Sequence, residues 1–319
     1  MLLRSQNGSR IVAAAVLSLA WSLASGGCGR LPDDPSTRLL RHLPAEQALY
    51  LYVDVERLRN SPSLEPILRK SSVLPAELAE LATDAGLDYL AEADAAALSL
   101  GVKGAHLAVR GRFDEARLRQ ALQRAGAVCS QSLRSSPCTI ESRGSRPALS
   151  LLLRAEDLLR ISVGGAIGEA GANGAEFQKL VVQARQQLDR GAVLWTTFEP
   201  SRTEQALEHP AAGLANFKLF ARALQKADRG YFYAEELLGG ELQVTLKAEC
   251  ADLGQATSVS NLLTGLNRLA TTALEAGRAD EPPPGVKVLR GARIASTATQ
   301  VVAVWVLDER TLQAWGGIG

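Results

Sequence analysis

Apolar positions recur along this chain with two periods, and the switches between them mark its elements. Residues 48–55, ALYLYVDV, alternate and are rich in Leu, Tyr and Val, which predicts a strand. SPSLEPILRKS and LPAELAELATDAG follow with helical spacing. The second sets Leu78, Leu81 and Ala82 on one face and closes at Gly86. The period then returns to two. Residues 95–101 and 105–113 predict a hairpin that turns at Lys103 and Gly104. Asp114 stands as an N-cap before EARLRQALQRAG, whose Leu118, Ala121, Leu122 and Ala125 share a face and which ends at Gly126. Shorter strands are predicted at 138–142, 148–154 and 158–163.

GGAIGEAGANG, residues 164–174, holds five glycines and breaks the chain. A helix is predicted after it, over about 175–190. Then the pattern restarts. AVLWTTFEPSRTEQAL (192–207) repeats the order of 48–64: a strand, an acid near its end, a turn into a helix. Residues 228–249 parallel 94–113 as strand, Gly-containing turn and strand. A long helix is predicted at about 252–276, matching 114–125, and both halves close with short strands. GRADEPPPG (277–285) predicts an exposed, extended loop, and DERTLQAWGGIG a short capped helix. A period near 140 is too long for a solenoid. The reading is an α+β protein of two similar units, 45–164 and 192–319, joined by a Gly-rich connector and helix at 165–191. Each unit is expected to be a mostly antiparallel sheet with helices packed on one face.

The N-terminus follows a different logic. Its first ten residues hold Arg4 and Arg10 and no acid. Residues 11–23, IVAAAVLSLAWSL, are mostly apolar, and Ala24, Ser25, Gly26 and Gly27 are small. This is the layout of an export signal, and its mostly apolar run of 13 residues falls short of the roughly 20 that span a bilayer. With Cys28 directly after Gly26 and Gly27, residues 1–28 resemble a bacterial lipoprotein signal. Ser25 departs from that pattern, where an aliphatic residue is usual; the nearest leucine is Leu23. The resemblance implies a signal peptide at 1–27, lipid on Cys28, a proline-bearing tether at 28–44 and a place in the bacterial cell envelope. The membrane is then one partner and an envelope protein another. The alternatives are a plain secretory signal, which leaves Cys28 unmodified, and a cytoplasmic helix. The body loosely resembles uncharacterised envelope lipoproteins with repeated α+β domains, a likeness that assigns no residue a role.

Charge and composition narrow the function. Without Arg4 and Arg10, the 35 basic residues become 33 against 34 acidic ones, so the body is near neutral. Nucleic-acid binding, which requires neutralised phosphates, is disfavoured. Aromatics are 5%, which speaks against stacking platforms for sugars or bases. An exported chain can keep disulfides, and CSQSLRSSPC allows a bridge from Cys129 to Cys138. A bridge that uses Cys250, or three buried thiols, fits the count equally.

Few residues point to chemistry. The glycines at 164–174 do not form GxGxxG, and no GxxxxGK[ST] occurs, so no phosphate cradle or cofactor is predicted. His42, His106 and His209 lie far apart, with His106 and His209 read as surface or capping positions. HExxH, CxxC and GxSxG are absent, and no metal site is predicted. Asp54 and Glu56 end the first strand and Glu199 takes the matching place in the second half. A duplication could bring such acids together as a pair, although strand-ending acids more commonly serve turns. Trp195, Phe198, Phe217, Phe220, Tyr231, Phe232 and Tyr233 crowd the second half. They suit a packed core, or a cleft between units centred on Trp195 and Tyr231. The expectation is a non-enzymatic, membrane-anchored binding or assembly protein. An envelope hydrolase with a spatially assembled acidic or histidine site, and a carrier of an apolar ligand in that cleft, are the alternatives.

Overall fold

The computed structural model describes residues 35–45, 47–62, 64–65, 89–102, 104–142, 148–154, 157–164, 166–167, 182, 191–206, 221–237, 240–275 and 291–307. The N-terminal signal, most of the Gly-rich connector with its helix, most of the helix expected over 61–71 and all of that over 74–86, the Pro-rich loop and the C-terminal helix lie outside these residues. In chain order the elements are α1 (Pro35–Leu40), β1 (Leu49–Val53), α2 (Val55–Asn60), α3 (Tyr89–Glu92), β2 (Ala93–Gly101), β3 (Gly104–Gly111) and α4 (Glu115–Arg124). There follow β4 (Cys138–Ile140), β5 (Leu149–Arg154), β6 (Leu158–Val163), β7 (Ala192–Phe198), α5 (Pro200–Ala206), β8 (Arg229–Glu236), β9 (Leu242–Glu249), α6 (Leu253–Glu275), β10 (Arg293–Ser296) and β11 (Gln300–Leu307).

Among the described residues the strands form one eleven-stranded sheet in the order β10-β11-β9-β8-β7-β1-β2-β3-β6-β5-β4. Every pairing is antiparallel. The expectation of a separate sheet in each unit is therefore corrected. β1 and β7 pair directly, from Leu49 opposite Phe198 to Val53 opposite Leu194, and so weld the halves into a continuous sheet. From that central pair the order runs outward as β2-β3-β6-β5 on one side and β8-β9-β11-β10 on the other, with β4 added at the first edge.

Local chemistry sets the element ends. Asp54 does not continue β1: its Oδ1 accepts from the Arg57 amide at 2.9 Å, which starts α2 one residue after the strand. Asp114 caps α4 in the same way, accepting from the amides of Ala116 and Arg117. Gly104 takes φ +141°, and a Cβ there would sit 2.2 Å from the Val163 carbonyl oxygen, so the hairpin needs glycine at that corner.

The period of two assigns each strand residue to a face. One face carries Leu49, Leu100, Leu151, Leu153, Leu159, Val244, Leu246 and Trp305. Leu118 and Leu122 of α4, Ala206 of α5 and Ala256, Val259 and Leu263 of α6 join these in a single hydrophobic core that crosses both halves. The opposite face is buried as well. Its Ala95, Ala97 and Ala108 are at most 1% exposed, and Tyr50, Tyr52 and Trp195 are buried beside them. Helices therefore do not stay on one face. The sheet exposes apolar surface on both sides, and α1, with Leu39 and Leu40 buried, packs on β2 and β3. The hydroxyl of Tyr50, which lies on this second face, donates to the Pro44 carbonyl just beyond α1 at 2.9 Å.

Candidate functional site

Trp195 and Tyr231 lie on the second face, in neighbouring strands. Trp195 sits between Tyr52 of β1 and Tyr233 of β8, and Tyr231 pairs with Thr197. Both are buried side chains of the sheet, Trp195 completely so. Among the described residues the Trp195 indole Nε1–H has no hydrogen-bond partner. The Tyr231 hydroxyl donates to Glu249 at 3.1 Å, and the Lys247 ammonium lies 5.6 Å over its ring. Burial, and then the charge of Glu249, push the Tyr231 phenol up to about 12. Lys247 in turn pairs with Glu249 at 3.3 Å. These contacts are those of a packed tyrosine with a satisfied polar tip.

The matched acids are held apart. The Asp54 amide donates to the Val193 carbonyl, and the Glu199 amide donates to the Ala48 carbonyl. Because β1 and β7 run antiparallel, these equivalent positions fall at opposite ends of the central pair, about 20 Å apart at ~3.4 Å per residue. Asp54 caps α2, Glu56 is an exposed first-turn acid, and Glu199 pairs with Arg202 at 3.1 Å. The carboxylate pair that a duplication could have built is therefore not assembled.

The second face instead collects polar residues that the strand pattern alone concealed. Tyr50, Ser99, His106, Ser162, Ser150 and Thr139 stand opposite one another across six strands, as one transverse row. Ser99 and Ser162 are fully buried, and among the described residues the Ser99 hydroxyl has no hydrogen-bond partner. His106, expected at the surface, is half-buried in this row. Arg160 stands diagonally from it on β6 and is only 5% exposed. Burial, then the Arg160 charge, lower the His106 pKa. His42, just after α1, is lowered by burial and then by Arg160, Arg154 and Arg41, against an opposing pull from Asp157. The alternating serines and Arg160 within apolar strands were the available signal in the sequence. His209 lies outside the described residues.

A separate open depression of about 600 Å³ lies at the N-terminus of α6, lined by Ser201, Gln225, Lys226, Asp228, Gln255 and Ser258 among others. Asp252 caps the helix by accepting from the Gln255 amide at 2.8 Å, and the Gln255 side chain accepts from the Ala251 amide. Lys226 donates to Ser258 at 3.3 Å. Two of its lining side chains, Lys226 and Ser258, are thus bonded to each other, and Gln255 is used in capping the helix. No group of three or more His, Cys, Asp or Glu suited to a metal exists among the described residues. Cys129 and Cys138 are joined as a disulfide, and Cys250 is a buried free thiol.

No protein-family model and no curated protein matches the chain. Solved structures of TP0453 resemble it over most of both chains. Crystal form III shares 12% identity at a TM-score of 0.47, covering 89% of this chain and 98% of that one. Crystal form I shares 12% at 0.46, covering 90% and 98%. A likeness of this degree assigns no function and no residue role. No helix among the described residues is long and apolar enough to cross a membrane.

Proposed function

We propose that this chain is an exported protein held at a bacterial membrane through lipid on Cys28, and that its body works by binding within the envelope without catalysing a reaction. The observation that carries the reading is the run from Ile11 to Leu23 ending in Gly26-Gly27-Cys28. Acyl chains stabilise attachment by about 0.8 kcal/mol per buried CH₂. The first described element, α1, begins at Pro35, seven residues after Cys28, and seven residues at full extension span at most about 25 Å. The body would therefore work close to the bilayer.

The two halves are read as a duplication. Matching strand order about the β1–β7 pair supports it, as do the reciprocal amide bonds to Val193 and Ala48. Helices placed alike after β3 and β9 also support it. The packing of Trp195 and Tyr231 and the separation of Asp54 from Glu199 favour binding through the surface over a buried ligand cleft or a paired-acid site.

Cys28→Ser tests the anchor. In the producing cell, wild type is expected in the membrane fraction and the variant in the soluble fraction or as uncleaved precursor. Equal membrane recovery of both proteins, with the variant processed to the same mature length as wild type, would refute attachment through this cysteine.

A further inference from the structure

We propose that two copies of this chain join edge to edge through β10, about a two-fold axis normal to the sheet, with their α6 helices side by side on the first face. The two edges of the sheet differ. The edge at β4 is closed: Val128 and Thr139 exchange amide bonds at 2.8 and 3.0 Å, and the Leu153 amide of β5 donates to the Leu133 carbonyl. The Cys129–Cys138 disulfide ties the closing segment to β4. The edge at β10 has no strand or loop bonded along it among the described residues, and its Ala295 and Ser296 are exposed.

The alternation of the β10–β11 ladder tells which backbone groups this edge presents. The Thr297 amide donates to the Gln300 carbonyl at 2.8 Å, so Arg293 and Ala295, in step with Thr297, turn their amides and carbonyls toward β11. Those of Ile294 and Ser296 point outward, where a further strand can take them. A two-fold copy fits both in one register. Ile294 of each copy then lies opposite Ser296 of the other, which makes about four hydrogen bonds. The two Ala295 residues become the close pair between them, about 4.5 Å apart at Cα, and their methyl groups are small enough for that approach. In this register Arg293 falls opposite Thr297, so no like charges meet.

α6 completes the match. It lies along β10 and β11, and Asn267 donates to the Ala292 carbonyl at 3.2 Å, so the side of the helix that carries Asn267 looks toward the edge. Helical spacing puts Thr264, Ser260, Thr257 and Leu253 on that side, none of them charged, and Leu253 is 63% exposed. With strands ~4.8 Å apart, two helices seated over β10 and β11 stand about 10 Å apart across the axis, the spacing at which helices pack. Outward amides commit the edge to a strand; the pairing of Ala295 with itself and of α6 with α6 commits that strand to a second copy. The contact does not depend on lipid at Cys28.

Disulfide trapping of Ala295→Cys in the full chain tests the pairing. From the producing cell, a non-reducing gel is expected to show a band at twice the chain's mass, severalfold stronger than from Val102→Cys, which is 61% exposed at the β2–β3 turn. Sedimentation of the purified wild type should find a dimer. Ser296→Pro, which removes an outward amide and no bond to β11, should weaken that dimer about tenfold or more while the tryptophan fluorescence stays that of wild type. A wild type that sediments as a monomer overturns the proposal. So does a dimer that resists Ser296→Pro, one that Val102→Cys traps as well as Ala295→Cys does, or a bridge from Ala295→Cys to a different protein.

Discussion

α4 and α6 take equivalent places, each following the second strand of its half's hairpin, yet they are held in different ways. On their inner faces they agree: Leu118, Ala121 and Leu122 of α4, and Ala256, Val259 and Leu263 of α6, recur at helical spacing and are buried. Outside they diverge. The ten residues of α4 include Glu115, Arg117, Arg119 and Arg124; the 23 of α6 include only Arg268 and Glu275. α4 is tied to its surroundings by Arg117 on Glu92 at 2.7 Å, and by Glu115 accepting from Ser132, the Leu133 amide and Arg134. The Cys129–Cys138 disulfide closes the loop beyond it. α6 lies along β9, β10 and β11, is tied by Lys226 on Ser258 and by Asn267 on the Ala292 carbonyl with no ion pair among the described residues, and leaves Leu253 63% and Leu262 48% exposed. Inner-face spacing places a helix; the outer face is free to follow local needs.

The largest effects should come where the helices agree. Leu122→Ala and Leu263→Ala each remove a buried side chain and should cost about 2–5 kcal/mol. Because one core spans both halves, urea should show each variant shifting the same single transition. Two separate transitions, each moved by one variant alone, would break the picture of a common core.

Next comes the tie found in the first half. Cys129→Ser/Cys138→Ser opens a loop with a sequence separation of 9, which should cost about 2–3 kcal/mol in the chain-entropy model. An unchanged urea midpoint would show that the loop is held by Glu115 and its partners alone. Helix caps should matter less and about equally: Asp114→Ala and Asp252→Ala should each cost about 1 kcal/mol.

The smallest effect is electrostatic. The Ser132 hydroxyl, then Arg134 and the Leu133 amide, hold the Glu115 carboxyl below its usual range against a weaker desolvation push. Its contribution is present above the ordinary glutamate pKa and fades as pH falls through the lowered folded value. Carboxyl NMR should find Glu115 titrating below the exposed glutamates, and Arg134→Ala should move it back up.

The same division explains what was readable beforehand. Period-two and helical spacing placed β2, β3, α4, β8, β9 and α6 to within a few residues, because each buries one regular face. The continuous sheet was not readable. ALYLYVDV and AVLWTTFE state that each is a strand with two buried faces, but not that they pair with each other. Asp54 and Glu199 matched in sequence, while the antiparallel pairing that separates them is a tertiary fact. Ser99, His106, Ser162 and Ser150 form a row only once strand register is fixed, so the polar second face stayed hidden.

The account centres on Cys28 as the point of attachment. The mass of the mature N-terminal peptide, taken without reduction from the producing cell's membrane fraction, tests it most directly. A peptide that begins at Cys28 and carries two or three acyl chains is the predicted result. An unmodified start near Gly27 or Cys28 would contradict it and make the protein a free body of the periplasm or medium.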